Sequence, residues 1–339
     1  RGDSAALLSD VARSVTRAVR VQVTEEEALR LGQVRGTTPA AEEAYLQGRL
    51  HLAGYGKEAA SRALKSFQRA IEADPGHAAA HASAAFAYVK LASFGGISHA
   101  EARMLARAEI RKAFENGDDI AEAHAAEADI RFLYDWDWVG AETELRKSID
   151  LNPSFMYARN VYAQLLAAEK RFDEMLVLSE ESLRMDPQSL DALVNHGMLL
   201  YYKRDYAAAE QASRRALSME PGDEGALLLL ARVLEAQGRY DEALITATET
   251  AKLAGDSGLN LRLVIVRLQA LAGHRDEARA AAAALEKAGK DGTVRVHARD
   301  LGYLYVALGR TNDALDQFER ALDERDPTLV WLTVAPRVD

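Results

Sequence analysis

The sequence predicts an all-α protein, a solenoid of about eight stacked helical hairpins. Three prolines recur at intervals of 34 residues: Pro153, Pro187 and Pro221. Four aromatic residues share that interval at a different phase: Trp138, Phe172, Tyr206 and Tyr240. A fixed period of this length is the signature of a repeat array, in which each unit buries its apolar face against its neighbours.

Composition agrees with a helical, globular chain. Hydrophobic residues make up 48% and charged residues 28% of the 339 positions, and 22 glycines and 7 prolines are too few for a turn-rich β protein. The net charge of −10 argues against a nucleic-acid partner. The absence of cysteine excludes disulfides and thiolate metal sites. No apolar run reaches the ~20 residues that would predict membrane insertion.

One unit shows why each repeat is predicted to be a helical hairpin. Between residues 189 and 221, apolar residues recur at helical spacing on both sides of a polar break. Gly197 lies in the first helix, Tyr206 and Ala209 begin the second, and Pro221 ends it. The small residues allow the two helices to approach closely, and proline cannot continue a helix because it lacks an N–H.

This pattern resembles the tetratricopeptide repeat, and the resemblance implies a right-handed α-solenoid. Extending the register predicts eight hairpins: 39–75, 77–118, 120–153, 154–187, 188–221, 222–255, 257–290 and 291–326. We therefore expect three parts, which are an N-terminal helical cap or linker (1–38), the repeat array (39–326) and a C-terminal tail (327–339).

The N-terminal part is predicted to cap the array. Apolar residues spaced along 4–20 predict an amphipathic helix, and Thr24 with Glu27 forms a capping-box pattern. An end cap is needed because a terminal hairpin would otherwise expose its apolar face.

Segments 8–19, 24–26 and 44–49 resemble the junction in multidomain bacterial signalling proteins where a TolB-like segment precedes the repeats. Segments 134–138 and 331–339 also resemble that group. In that group the output domain is an adenylate cyclase, a serine/threonine kinase or a winged-helix domain. The resemblance implies that the chain is an excised regulatory or sensory module. We expect it in the cytoplasm, or outside it if a membrane span precedes this segment.

No motif predicts catalysis or a cofactor. The sequence lacks a phosphate-binding loop, a zinc-protease helix and a nucleophile elbow. His77 and His81 have metal-ligand spacing, but no third ligand lies near them in the sequence, so no metal site is predicted. Trp138 shares the register of the other aromatics and is predicted to pack in the core, whereas Trp136 is either packed or available to stack on a ligand.

The predicted binding face is the concave side, which the first helix of every hairpin lines. Residues offset by one from the buried stripe are the expected partner contacts: Tyr157, Asn160, Gln164, Met198, Tyr201, Tyr202, Arg232, Arg267, Arg299 and Tyr303. The three arginines are expected to form a positive strip that grips an acidic or C-terminal peptide. The alternative is that they pair with Glu235, Glu224 or other acids of adjacent helices.

The leading functional prediction is a non-enzymatic scaffold that binds a protein or peptide. A second hypothesis is a homo-oligomerisation module that brings output domains together. A third is a small-molecule-sensing domain, for which only Trp136 and the polar groove argue.

Overall fold

The computed structural model describes residues 37–54, 56–116, 119–254, 259–291 and 296–338. The predicted helix over 4–20 and the capping box at 24–27 lie outside these residues. Within the described part, sixteen α-helices follow one another: α1 (Pro39–Ala53), α2 (Gly56–Ala73), α3 (Ala78–Ser93), α4 (His99–Asn116), α5 (Ala121–Ile130), α6 (Trp138–Leu151), α7 (Met156–Ala168), α8 (Phe172–Met185), α9 (Leu190–Tyr202), α10 (Tyr206–Met219), α11 (Glu224–Ala236), α12 (Tyr240–Ala254), α13 (Leu259–Leu271), α14 (Arg275–Lys290), α15 (Ala298–Ala307) and α16 (Thr311–Asp323).

The helices pair as eight successive hairpins, α1 with α2 through α15 with α16, and each hairpin packs on the next. This arrangement confirms the predicted all-α solenoid. No helix in the described part is both long and apolar enough to cross a membrane.

Side-chain caps and turns explain where the central helices begin and end. Ser189, Asp205 and Asp223 each accept a hydrogen bond from a backbone N–H of the first helical turn, at 3.2, 3.2 and 2.7 Å. Such caps satisfy donors that have no partner inside the helix. At the other end, Asp186 accepts from the backbone N–H of Gln188 at 3.0 Å, which turns the chain at Pro187 into the next unit.

Small residues fit the closest helix crossings. A Cβ atom at Gly197 of α9 would lie 2.6 Å from Leu229 Cδ2 and 3.2 Å from Ala212 Cβ. Gly302 of α15 is in the same situation, since its Cβ would lie 2.7 Å from the Phe318 ring. These positions accept no side chain because the interior is already close-packed.

The aromatic period is confirmed, because the four aromatic residues begin the second helix of their hairpins: Trp138 in α6, Phe172 in α8, Tyr206 in α10 and Tyr240 in α12. The third hairpin departs from the others. After α5 the chain forms a π-helical turn, Arg131–Asp135, and Trp136 then has a left-handed backbone with φ of 58°. The extra residues between α5 and α6 are accommodated in this turn.

The C-terminal residues return to the concave face of the solenoid. Residues Pro327–Trp331 and Pro336–Val338 form short 3₁₀ helices. Trp331 packs edge-on against Phe132, with ring centroids 5.6 Å apart, and its Nε1 donates to the Gln164 carbonyl at 3.4 Å. Val330 is buried in the largest apolar cluster, which otherwise comes mainly from the second to fourth hairpins. We call residues 326–338 the C-terminal segment.

Candidate functional site

The open part of the concave face is a cleft of about 690 Å³ between α1 and α9. First helices of successive hairpins supply its walls. Four of the ten predicted contact residues line it: Tyr157, Asn160, Gln164 and Met198. Phe86 and Phe132 add aromatic surface, so the cleft combines apolar walls with a few polar groups, as ligand-binding clefts generally do.

Two side-chain amides in this cleft are incompletely hydrogen-bonded. Gln164 Nε2 donates to Asn195 Oδ1 at 2.9 Å, which fixes the orientation of Asn195. Asn160 Oδ1 and Asn195 Nδ2 are buried, and neither has a hydrogen-bond partner among the described residues. A buried polar atom without a partner costs about 1–3 kcal/mol. The pair thus offers one acceptor and one donor to a ligand.

A buried carboxyl group contributes to the cleft lining. Asp129 on α5 is 3% exposed and accepts a hydrogen bond from the hydroxyl of Tyr157. Burial raises the pKa of Asp129 to about 7, although the Tyr157 bond opposes the shift. Asp129 is not among the residues predicted from the sequence, because a single acid within a helix carries no signal of burial.

The charges lining the cleft are mixed in sign. Arg49 and Lys90 lie among the acidic residues Glu122 and Asp191. Burial lowers the pKa of Lys90, and the Asp191 carboxylate opposes that shift. The open cleft therefore does not select strongly for an acidic ligand.

Three of the remaining predicted contacts lie against the C-terminal segment: Tyr202, Arg299 and Tyr303. Tyr202 stacks on Trp331, and the Arg337 guanidinium lies 4.7 Å from the centroid of the Tyr303 ring. Tyr201 is 1% exposed. The Arg232 Nη1 atom is 3.7 Å from Met198 Sδ, at the border of the open cleft.

The prediction of a strip of exposed guanidinium groups is wrong. Arg267 is 4% exposed and donates from both terminal nitrogens to the Glu235 carboxylate. Arg299 bonds Asp300 at 3.0 Å and Asp326 at 3.1 Å. These cations are covered, and a buried charge requires a paired partner. For Arg267 the structure matches the alternative in which the arginine pairs with Glu235.

The two tryptophans of the third hairpin are both half-buried. Trp138 packs edge-on against Phe132 at 6.0 Å, which agrees with a packing role, although it is less buried than a core position implies. Trp136 lies under the guanidinium of Arg325, 4.6 Å from its ring centroid. Trp136 is thus engaged by the C-terminal segment.

In the described part of the chain, eight two-helix units stacked around a concave cleft define an α-solenoid. Residues 194–257 match the tetratricopeptide repeat family profile. This match falls on the fifth and sixth hairpins, where the spacing of small residues, aromatics and prolines also predicted tetratricopeptide-like repeats.

Comparisons with known proteins show a structural similarity that covers more of the chain than the sequence similarity does. Anaphase-promoting complex subunit 7 from human is 29% identical over 104 residues, which cover 31% of this chain and 18% of that subunit. The human IFIT1 dimer with PPP-AAAA is 18% identical, with a TM-score of 0.56 over 94% of this chain and 81% of that one. A tetratricopeptide repeat protein from Parabacteroides merdae is 15% identical, with a TM-score of 0.51 over 81% of this chain and 100% of that one. At these identities the structural similarity shows the fold alone.

Proposed function

We propose that the chain is a non-enzymatic scaffold whose open cleft binds an extended segment of a partner protein. The observation that supports this most directly is the pair of unsatisfied amide atoms, Asn160 Oδ1 and Asn195 Nδ2. They lie on neighbouring first helices, α7 and α9. An extended peptide presents backbone N–H and C=O groups along its length, so one peptide satisfies both amides.

The C-terminal segment illustrates how this face holds a chain without regular pairing. Arg204 Nη1 donates to the Val334 carbonyl at 3.0 Å, and Trp331 inserts between Phe132 and Tyr202. One aromatic anchor and a bond to a backbone carbonyl suffice there. We infer that the partner segment uses the same chemistry, with an apolar or aromatic anchor against Phe86 and Met198.

The acidic-peptide hypothesis changes accordingly. With Arg267 and Arg299 covered, the cations of the open cleft are Arg49 and Lys90. We propose that a carboxylate of the ligand, where one is present, pairs near Lys90 and that the apolar anchor supplies most of the affinity. Binding then depends only weakly on salt, because few charges are involved.

A regulatory role in a larger bacterial signalling protein is a further part of the proposal. It is supported by the resemblance of segments 8–19, 24–26, 44–49, 134–138 and 331–339 to such proteins. The sequence of the complete gene tests it, since an adjoining cyclase, kinase or winged-helix domain is expected.

The peptide-binding proposal is tested with a phage-displayed library of random linear peptides. A selected peptide is titrated calorimetrically against the wild type and against Asn160→Ala/Asn195→Ala. We expect at least about tenfold weaker binding by the double variant, since two hydrogen bonds contribute about 1 kcal/mol each. Asn312→Ala, on the exposed surface of α16, is the matched control. Equal affinity of all three folded proteins would place the site elsewhere.

The homo-oligomerisation and small-molecule hypotheses stay predictions. Sedimentation over a range of protein concentrations tests the first, because only that hypothesis requires a dimer. Thermal shifts with nucleotides and sugars test the second, since a ligand bound only by the folded state raises the melting temperature.

A further inference from the structure

Three metal-ligating side chains from distant parts of the sequence meet in one buried cluster. His99 begins α4 in the second hairpin, His297 precedes α15 in the eighth, and Asp326 begins the C-terminal segment. A ligand atom of each lies within 4.8 Å of the other two. The residues are 7%, 5% and 2% exposed, and the two imidazole rings are 5.0 Å apart.

We propose that His99, His297 and Asp326 bind one divalent transition-metal ion of the Zn²⁺ class. Two imidazole nitrogens and one carboxylate oxygen suit zinc, cobalt or nickel, whereas calcium and magnesium prefer sets made only of oxygens. Three protein ligands leave a fourth tetrahedral position for water. The site is independent of the peptide-binding cleft.

Hydrogen bonds orient the Asp326 carboxylate for this role. Its Oδ1 atom accepts from Arg299 Nη1 at 3.1 Å, from the Thr328 backbone N–H at 2.9 Å and from the Thr328 hydroxyl at 2.8 Å. Its Oδ2 atom faces His99 Nε2 at 4.0 Å. One oxygen is therefore fixed by its partners while the other is directed towards the histidines, as in sites where outer bonds hold a ligating group in place.

The geometry needs only a small adjustment to hold an ion. Bonds of about 2.0–2.1 Å in a tetrahedral site place ligand atoms ~3.3 Å apart. Closing the Oδ2–Nε2 separation from 4.0 Å to that value requires small side-chain rotations. The backbone positions are set by α4 and α15, so the cluster needs no refolding.

The hydroxyl of Tyr134, next to the cluster, also indicates that a ligand binds here. Its ring lies 6.2 Å from that of His99, it is 1% exposed, and its hydroxyl has no hydrogen-bond partner in the described part of the chain. Burial raises the pKa of Tyr134, and the Asp129 and Asp326 carboxylates add to the shift. A neutral hydroxyl beside the cluster can donate to, or accept from, a water in the fourth position.

The ion would join the second hairpin to the eighth. Free energy of metal binding then adds directly to the stability of the folded chain, because an unfolded chain does not hold these ligands together. A metal ion in this position therefore stabilises the packing of the two hairpins against each other.

The test uses tag-free protein, stripped with a chelator and titrated with Zn²⁺ in a calorimeter. We expect one Zn²⁺ per chain and a rise in melting temperature that Mg²⁺ does not produce. Co²⁺ should give the visible absorption of a tetrahedral nitrogen and oxygen site. The absence of stoichiometric Zn²⁺ binding by the wild type would overturn the proposal.

Variants assign the ion to this cluster. His99→Ala and His297→Ala are expected to lower the Zn²⁺ affinity at least tenfold, and Asp326→Asn, which keeps the hydrogen bonds to Thr328, is expected to do the same. His274→Ala, which removes an exposed histidine, should leave the affinity unchanged. If the histidine variants do not fold, Asp326→Asn and the Co²⁺ spectrum of the wild type decide. Unchanged binding by the folded variants would show that the ion lies elsewhere.

Discussion

The indole ring of Trp331 lies parallel to the phenol ring of Tyr202, with centroids 6.4 Å apart and planes inclined by 5°. Tyr202 ends α9 in the fifth hairpin, whereas Trp331 follows the last hairpin. The C-terminal segment therefore fills one part of the concave face, and the other part is the open cleft.

We expect Trp331→Ala to lower the free energy of unfolding by roughly 2 kcal/mol. A fully buried tryptophan contributes ~3–5 kcal/mol, and Trp331 is half-buried. Urea denaturation measures the loss. Thr333→Ala, an exposed substitution in the same segment, is the control and should change stability by less than about 0.5 kcal/mol. Similar effects of the two substitutions would contradict the anchoring role of Trp331.

We expect Glu235→Gln to destabilise the protein by about 3–5 kcal/mol, because it leaves the Arg267 guanidinium buried beside a neutral group. The double variant Glu235→Gln/Arg267→Met should recover part of that loss, since the uncompensated charge is gone. Chemical denaturation of both variants and of Arg267→Met completes a double-mutant cycle.

An exposed ion pair supplies the comparison. Glu242 bonds Arg239 at 2.7 Å, but Glu242 is 55% exposed. Glu242→Gln should change the free energy of unfolding far less than Glu235→Gln, because an exposed ion pair contributes little to stability. A comparable cost at Glu235 would mean that solvent reaches the Arg267 pair.

The raised pKa of Asp129 predicts that stability falls as the pH rises. The native state holds a proton on this carboxyl up to about pH 7, whereas the unfolded chain releases it near its usual value of 3.8. Between these values the native state binds more protons, so each pH unit lowers the free energy of unfolding. The total is roughly 4 kcal/mol between pH 4 and pH 8.

Asp129→Asn should remove this dependence, since an amide does not titrate, and should make the protein more stable than the wild type at pH 8. Urea melts at several pH values measure the difference between the two proteins. Asp150→Asn, at an exposed position, should follow the wild-type curve. Parallel curves for the wild type and Asp129→Asn would rule out a buried, protonated Asp129.

We expect Gly197→Val to destabilise the protein by about 1–3 kcal/mol. Its Cβ would lie 2.6 Å from Leu229 Cδ2, and overpacking of a dense crossing has costs of this size. Gly222→Ala is the control, because a Cβ there meets nothing within 4 Å. Thermal melts compare the two, and equal melting temperatures would refute the close approach of the helices.

The repeating features were predictable from the sequence because they depend on neighbouring units. The 34-residue period placed Tyr206 at the start of a second helix and Gly197 at a crossing, and both predictions are confirmed. Periodicity also placed Asn160 on the concave side, where it lines the open cleft.

The features that the sequence did not reveal depend on the sum of many small rotations between units. The guanidinium of Arg325 donates to the Tyr134 carbonyl across 191 residues of sequence. No local pattern predicts that these residues meet, or that His99 and His297 become neighbours. For the same reason the sequence could not decide between an exposed Arg267 and one that is buried and paired with Glu235.

The return of the C-terminal segment also fixes how many units the array can have. In an open stack, the loss or gain of one hairpin only shortens or lengthens the protein. Here a change of one hairpin anywhere between α5 and α15 would rotate Trp331 away from Phe132 and His297 away from His99. These contacts thus fix the number of repeats in this protein, and duplication of a unit would separate both pairs of residues.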